Sequence, residues 1–268
     1  LSNVRLVSQP LLDAQQKVEQ AAREVANLLK AAPLQAQLAS LRQRLAAPDL
    51  SRAGAAQIAA EALQLQQTAR AQRLQPLRAF DFGPANSPLR AGFTDVTATT
   101  VYDAARGYGW AATDGLQEVT RPAPREMTNS AYYGRMVPPV LYLNDLDQDF
   151  VGGKAPAEFR VKLPAGDYTV WMLSGLPATY SPVVNNFTVD TGSGVYPVKL
   201  PQNYIFDSRL FPAKVGADGL LHLRFTPQTG WLINALAIFP ATQKERAARE
   251  FVAPIDQEIF RLPPDLWA

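Results

Sequence analysis

The hydrophobic positions of this chain follow two different rhythms. Between residues 10 and 75, Val18, Ala22, Val25 and Leu29 recur at helical spacing. So do Leu34, Leu38, Leu41 and Leu45, and then Ile58, Ala62, Leu65 and Ala69. Spacings of three and four place each set on one helical face. Pro33 suits a helix start or a kink. Pro48-Asp49-Leu50-Ser51 reads as a turn, with Asp49 or Ser51 as N-cap of the next helix. The pattern predicts two long helices folded back antiparallel, the first broken near Pro33. Burying each Leu contributes roughly 1.5–3 kcal/mol, so the apolar stripe needs a cover, either within the chain or on a protein partner.

From residue 79 the rhythm changes to alternation. Phe159, Val161 and Leu163 alternate with polar neighbours, as do Leu221, Leu223 and Phe225. Leu232, Asn234, Leu236 and Ile238 oppose an apolar set of Ile233, Ala235 and Ala237, which predicts one last strand covered on both faces. Pro164-Ala165-Gly166-Asp167 leads into a strand over 168–174. Ala217-Asp218-Gly219 predicts a hairpin into 220–226. Many short strands broken by Gly and Pro indicate an antiparallel sandwich or jelly roll. Near the end, Thr242 and Glu245 fit a capping box, Pro254 is expected to stop that helix, and Pro263-Pro264 begins an extended exit. The fold expected is mixed and in two parts: an α-helical hairpin over 1–76, an antiparallel β-sandwich over 77–240, and a short helical tail over 241–268.

Composition narrows the function. The 268 residues carry 26 basic and 24 acidic side chains, a formal net charge of +2, with no basic cluster that would suit nucleic acid. No apolar run reaches the length of a membrane-spanning helix. The chain has no cysteine, which excludes disulfides and thiolate chemistry.

Certain segments then stand out together. They are Phe80-Asp81-Phe82-Gly83-Pro84, Gly92-Phe93-Thr94-Asp95-Val96, Tyr102, Arg106-Gly107-Tyr108-Gly109-Trp110, Asp149-Phe150-Val151, residues 159–168, and Trp231 to Ile238. Their order resembles the galactose-binding-like β-sandwich domains attached to bacterial polysaccharide-degrading enzymes, in particular those of rhamnogalacturonan acetylesterases and lyases. The resemblance covers about 160 residues and departs at Gln148, where the family pattern carries a basic residue. It implies a jelly roll attached to a carbohydrate-active enzyme; the role expected is a non-catalytic carbohydrate-binding or accessory module in a secreted, periplasmic or cell-surface bacterial protein.

Candidate chemistry is sparse. The single histidine, His222, lies opposite Leu221 and Leu223 on its strand and reads as a face residue, and no Gly-x-Ser-x-Gly elbow occurs. Sugar binding needs flat aromatic faces beside amides and charges. Tyr132, Tyr133 and Arg135 in one loop, and Tyr180, Asn185 and Asn186 in another, supply them. The tyrosines could equally cover the core edge. Trp110, Tyr108 and Trp231 are assigned to packing. Asp145, Asp147 and Asp149 alternate at a spacing suited to calcium. An EF-hand is excluded, because Phe150 and Pro156 stand where its glycine and closing glutamate belong. A solvated acidic loop is the simpler reading, and no cofactor is required. The rival function is a structural or assembly protein whose helices dock a larger enzyme.

Overall fold

In the computed structural model the described residues are 9–29, 31–120, 145–146, 148–175, 186–199 and 206–259. They form a mixed helix-and-sheet protein in two compact units. One comprises Leu1–Gln75 with Glu245–Pro254, the other Pro76–Lys244 with Ile255–Ala268. The segment that the sequence sets off at 241 is thus divided between the two.

The N-terminal stretch of the first unit holds three helices rather than two among its described residues: α1 (Gln9–Ala26), α2 (Ala32–Leu45) and α3 (Arg52–Gln72). The break at Pro33 is complete. Pro33 stands in the first turn of α2, where its missing N–H costs nothing. Ser51, not Asp49, caps α3, its hydroxyl accepting a hydrogen bond from the Gly54 N–H at 3.1 Å. The buried stripe of α1 runs Ala14, Val18, Ala21, Val25, with Ala22 and Leu29 at its margin. It meets Leu34, Leu38 and Leu41 of α2 and Ile58, Ala62, Leu65 and Ala69 of α3 in one core.

This core is closed from far along the chain. After a 3-10 turn at Ala241–Gln243 and an α-helical turn at Lys244–Arg246 (α4), residues Ala247–Val252 form a π-helix, followed by α5 (Ala253–Ile259). Glu250 on the π-helix is 2% exposed. Its carboxylate accepts hydrogen bonds from the Leu29 N–H at 3.2 Å, the Leu74 N–H at 2.9 Å and both arms of Arg246. Those two amides lie in the segments that follow α1 and α3, outside the helical hydrogen-bond ladders. Burial opposes the Glu250 charge, but Arg246 and the two amides outweigh it and lower its pKa. Thr242, expected to open a capping box with Glu245, lies inside the 3-10 turn instead, whose cap position is Pro240. Nor does Pro254 stop the helix. It falls in the first turn of α5, where a proline is tolerated.

The second unit contains two sheets. The first has the order β10-β7-β12-β1-β2, the second β3-β6-β11-β5-β4, with β8 also on β11 and β9 on β8. The strands are β1 (Arg78–Phe82), β2 (Thr94–Val96), β3 (Tyr108–Trp110), β4 (Leu116–Thr120), β5 (Asp149–Gly153), β6 (Ala157–Lys162), β7 (Gly166–Gly175), β8 (Asn186–Asp190), β9 (Val195–Lys199), β10 (Phe206–Val215), β11 (Leu220–Ile233) and β12 (Ala235–Pro240). All named pairs are antiparallel except β1 with β2. Both sheets contribute to one core: Phe80, Phe82, Val170, Met172 and Phe211 from the first, Phe159, Val161, Leu221, Leu223 and Phe225 from the second. Phe80 and Phe82 set their rings against Phe159 at 5.3 and 5.2 Å. Trp110 and Trp231 are buried as expected, and their indole N–H groups donate to the Thr97 and Ala155 carbonyls. Gly109 has a φ of +141°, and a Cβ there would lie 2.6 Å from the Val101 carbonyl, so the Tyr-Gly-Trp run requires its glycine.

Two strand expectations are corrected. The turn at Ala217-Asp218-Gly219 does not make a hairpin: β10 pairs with β7 in one sheet, and β11 pairs with β5, β6 and β8 in the other. The last apolar run is two strands, β11 and β12, and the chain changes sheet at Asn234. Ile233 still pairs with Val151 of β5, whereas Ala235 pairs with Leu173 of β7 and Asp81 of β1. Alternation alone cannot register such a crossing, because both faces stay buried on either side of it.

Asn234 is fully buried, and its polar groups are met from three strands, β1, β5 and β7. Its N–H donates to the Leu173 carbonyl, and its carbonyl accepts from the Phe82 N–H. Its Oδ1 accepts from the Gly175 N–H at 2.8 Å, and its Nδ2 donates to the Asp149 carbonyl at 2.7 Å. We predict that Asn234→Ala, which orphans both of the latter groups, lowers stability by about 2–4 kcal/mol. Urea denaturation monitored by tryptophan fluorescence measures this. Asn234→Asp keeps the acceptor and loses the donor, and is expected to fall between the two.

Candidate functional site

Of the sugar-contact residues chosen from sequence, Tyr132, Tyr133, Arg135, Tyr180 and Asn185 lie outside the described residues. Asn186 is described: it opens β8 and is half-buried. Of the metal candidates, Asp147 lies outside them, Asp145 is exposed, and Asp149 is 1% exposed at the start of β5. No three His, Cys, Asp or Glu side chains among the described residues stand close enough to hold a metal ion by themselves.

Instead of the alternating loop, the structure gathers carboxylates around β1. Successive residues of β1 face opposite ways. Phe80 and Phe82 enter the core, while Asp81 and Gly83 share the other side. Asp81 is 4% exposed, and its Oδ2 accepts the Arg90 N–H at 3.0 Å. The parallel register sets Asp95 of β2 beside it. The Asp149 carboxylate lies directly over Gly83, so closely that a Cβ at Gly83 would sit 2.4 Å from its Oδ2. Neither oxygen of Asp149 has a hydrogen-bond partner, and the neighbouring Ser87 hydroxyl donates to the Pro84 carbonyl at 2.8 Å instead.

Burial and mutual repulsion set the electrostatics. Asp81 is pushed up to about 7, first by burial and then by Asp149, Asp95 and Asp145, against the Arg90 N–H. Asp149 is pushed up to about 6, first by burial, with Asp95 and Asp145 adding to the rise. The Arg90 guanidinium is engaged with Glu258 at 2.7 Å. Sequence reasoning missed Asp81 and Asp95 because β-pairing, not loop spacing, unites them with Asp149.

His222 takes the place expected of a face residue. Its Nδ1 lies 2.8 Å from Glu158 and its Nε2 2.7 Å from Asp218. Glu158 also accepts from Arg160 at 2.5 Å and Arg224 at 2.9 Å. Burial would raise the Glu158 carboxyl, but these three donors hold it at about 2. Burial likewise opposes charging of His222, and the Asp218 and Glu158 carboxylates outweigh it and raise its pKa. With both ring nitrogens engaged, the imidazole offers no free lone pair to a nucleophile.

An open depression of about 420 Å³ lies beside this network. Leu163, Pro164 and Leu220 supply apolar surface, and half-buried Tyr102 stands with exposed Lys162 and Asp218. It can hold a small amphipathic ligand between an aromatic ring, an ammonium and a carboxylate.

No protein-family model matches the chain, and no curated protein matches it. Among solved structures, protein YXIM from Bacillus subtilis is 21% identical with a TM-score of 0.42, covering 61% of this chain and 39% of that one. A Bacteroides uniformis beta-glucuronidase is 16% identical with a TM-score of 0.40, over 61% of this chain and 18% of that one. The plant receptor-like kinase FER is 14% identical with a TM-score of 0.35, over 61% and 41%. The chain thus spans about two-fifths or less of these proteins. Likeness at this level carries no functional argument.

The raised His222 pKa gives a signed pH dependence. The folded state holds the proton more tightly than the unfolded state, so the added stability is full below the ordinary imidazole value of about 6.5. It is lost as pH rises through the raised folded value. His222→Gln is expected to narrow its stability deficit against wild type between pH 5.5 and pH 8.5, as read by urea titrations at both ends.

Proposed function

We propose that this chain is a non-catalytic carbohydrate-binding accessory module of an exported bacterial carbohydrate-active protein, its two-sheet unit being a galactose-binding-like jelly-roll sandwich. The observation that carries the reading is the depression at Tyr102. Sugar sites pair a flat aromatic or apolar surface, against the C–H face of a pyranose, with a few directed polar groups. Tyr102, Leu163 and Pro164 provide the first, Lys162 and Asp218 the second. The saturated state of His222 supports a binding role over hydrolytic chemistry. The ordered sequence segments from Phe80 to Ile238 supply the family resemblance. Tyr132, Tyr133, Arg135, Tyr180, Asn185 and Asn186 remain a second set of proposed sugar contacts.

A second reading, a spacer or assembly subunit, is favoured by one feature of the helical unit. Ala22, Val25, Ala26 and Leu38 line an open groove of about 350 Å³ flanked by Arg23 and Arg42. A soluble monomer by light scattering that captures no enzyme subunit would count against that reading.

Binding to plant and bacterial polysaccharide arrays, followed by calorimetry with the oligosaccharide found, tests the sugar reading. Tyr102→Ala is expected to weaken binding about tenfold, or ~1.4 kcal/mol. A loss in the Tyr132/Tyr133/Tyr180 triple alanine variant with Tyr102→Ala unaffected would move the site to those three tyrosines. No binding by wild type to any glycan would sink the reading.

A further inference from the structure

The carboxylate cluster on β1 is not explained by sugar binding. Asp149 is a charged group removed from water with both oxygens unpartnered. Buried polar groups are rarely left so, and a buried carboxylate without compensation is costly. The charges nearest it make matters worse: Asp81 shares its side of β1, and Asp95 and Asp145 add negative field. Arg90, whose N–H meets Asp81, commits its guanidinium to Glu258. The Asn234 amide, which could donate, is spent on the Asp149 carbonyl rather than its carboxylate.

We propose that Asp149 and Asp81 together hold a calcium ion between β5 and β1, on the side of β1 away from the aromatic core. The available donors are all oxygen, which selects a hard cation over zinc or copper. Two carboxylates are enough anionic ligand for calcium, whose shell is commonly completed by backbone carbonyls and water. A proton on Asp149 would neutralise one charge but leave its oxygens without partners. A cation satisfies both oxygens and cancels the repulsion from Asp81, Asp95 and Asp145. The site differs from the alternating loop of the sequence reading, since Asp81 lies on a different strand and Asp145 stands only at the rim. The ion would tie the first strand of the sheet unit to β5, which pairs in the opposite sheet.

The test uses the full chain stripped with chelator at pH 7.5. Addition of millimolar calcium is expected to raise Tm by about 4 °C or more, and calorimetry should show a single saturable site. Asp149→Asn and Asp81→Asn should each weaken calcium binding at least tenfold, while Asp167→Asn, an exposed control, should bind as wild type does. If Asp149→Asn does not fold, the wild-type titration still decides. Identical melting with calcium and with chelator, and no heat of binding, would overturn the proposal. So would an Asp149→Asn variant that keeps the full calcium response.

Discussion

Everything in the two-sheet unit depends on how one chain serves both sheets, and Asn234 is where that is arranged. A strand that leaves one sheet for another must break its ladder, and a broken ladder strands backbone donors and acceptors inside the core. Here the asparagine side chain acts as a short piece of substitute backbone. It meets the last N–H of β7 and the first carbonyl of β5, while its own peptide groups pair with β7 and β1. Ser174 assists by donating to the Leu232 carbonyl at 2.8 Å. Because these bonds reach β1, β5 and β7, a fault at this point is shared by both sheets. The aromatic core of Phe80, Phe82, Phe159 and Trp110 depends on sheets held in that relation.

The parts of the fold legible from sequence are those governed by local periodicity. The helical stripes at Val18, Leu38 and Ile58, the alternation at Phe159 and Leu221, and the buried indoles all follow from side-chain direction within one element. What escaped is governed by partners distant in sequence. The sheet change at Asn234 is silent because residues on both sides of it are apolar in either sheet. The passage through Pro254 depends on a π-helix that no composition signals. On that π-helix Glu250 meets two amides of the helical unit.

The chemistry divides in the same way. His222 was assignable from its strand position, since its neighbours fix which way it points. The alternation of Asp145, Asp147 and Asp149 drew attention to the right segment for the wrong reason: only Asp149 turns inward among the described members. Its neighbours Asp81 and Asp95 come from strands that precede it by more than fifty positions, and a parallel pair between β1 and β2 is needed to place them. A buried acid inside an apolar motif such as Phe-Asp-Phe is the signal that could have pointed there.

Glu250 carries a consequence for how the protein is made. The three helices precede every strand of the sheet unit, yet two of the helical unit's amides, at Leu29 and Leu74, are met by a carboxylate that the ribosome adds only after the last strand. During synthesis the three helices must therefore wait, open at the Leu29 and Leu74 ends, while the slower, non-local sheet pairing proceeds. A truncation just before Glu245 would leave the N-terminal unit in its nascent form, a state on which chaperones and proteases act.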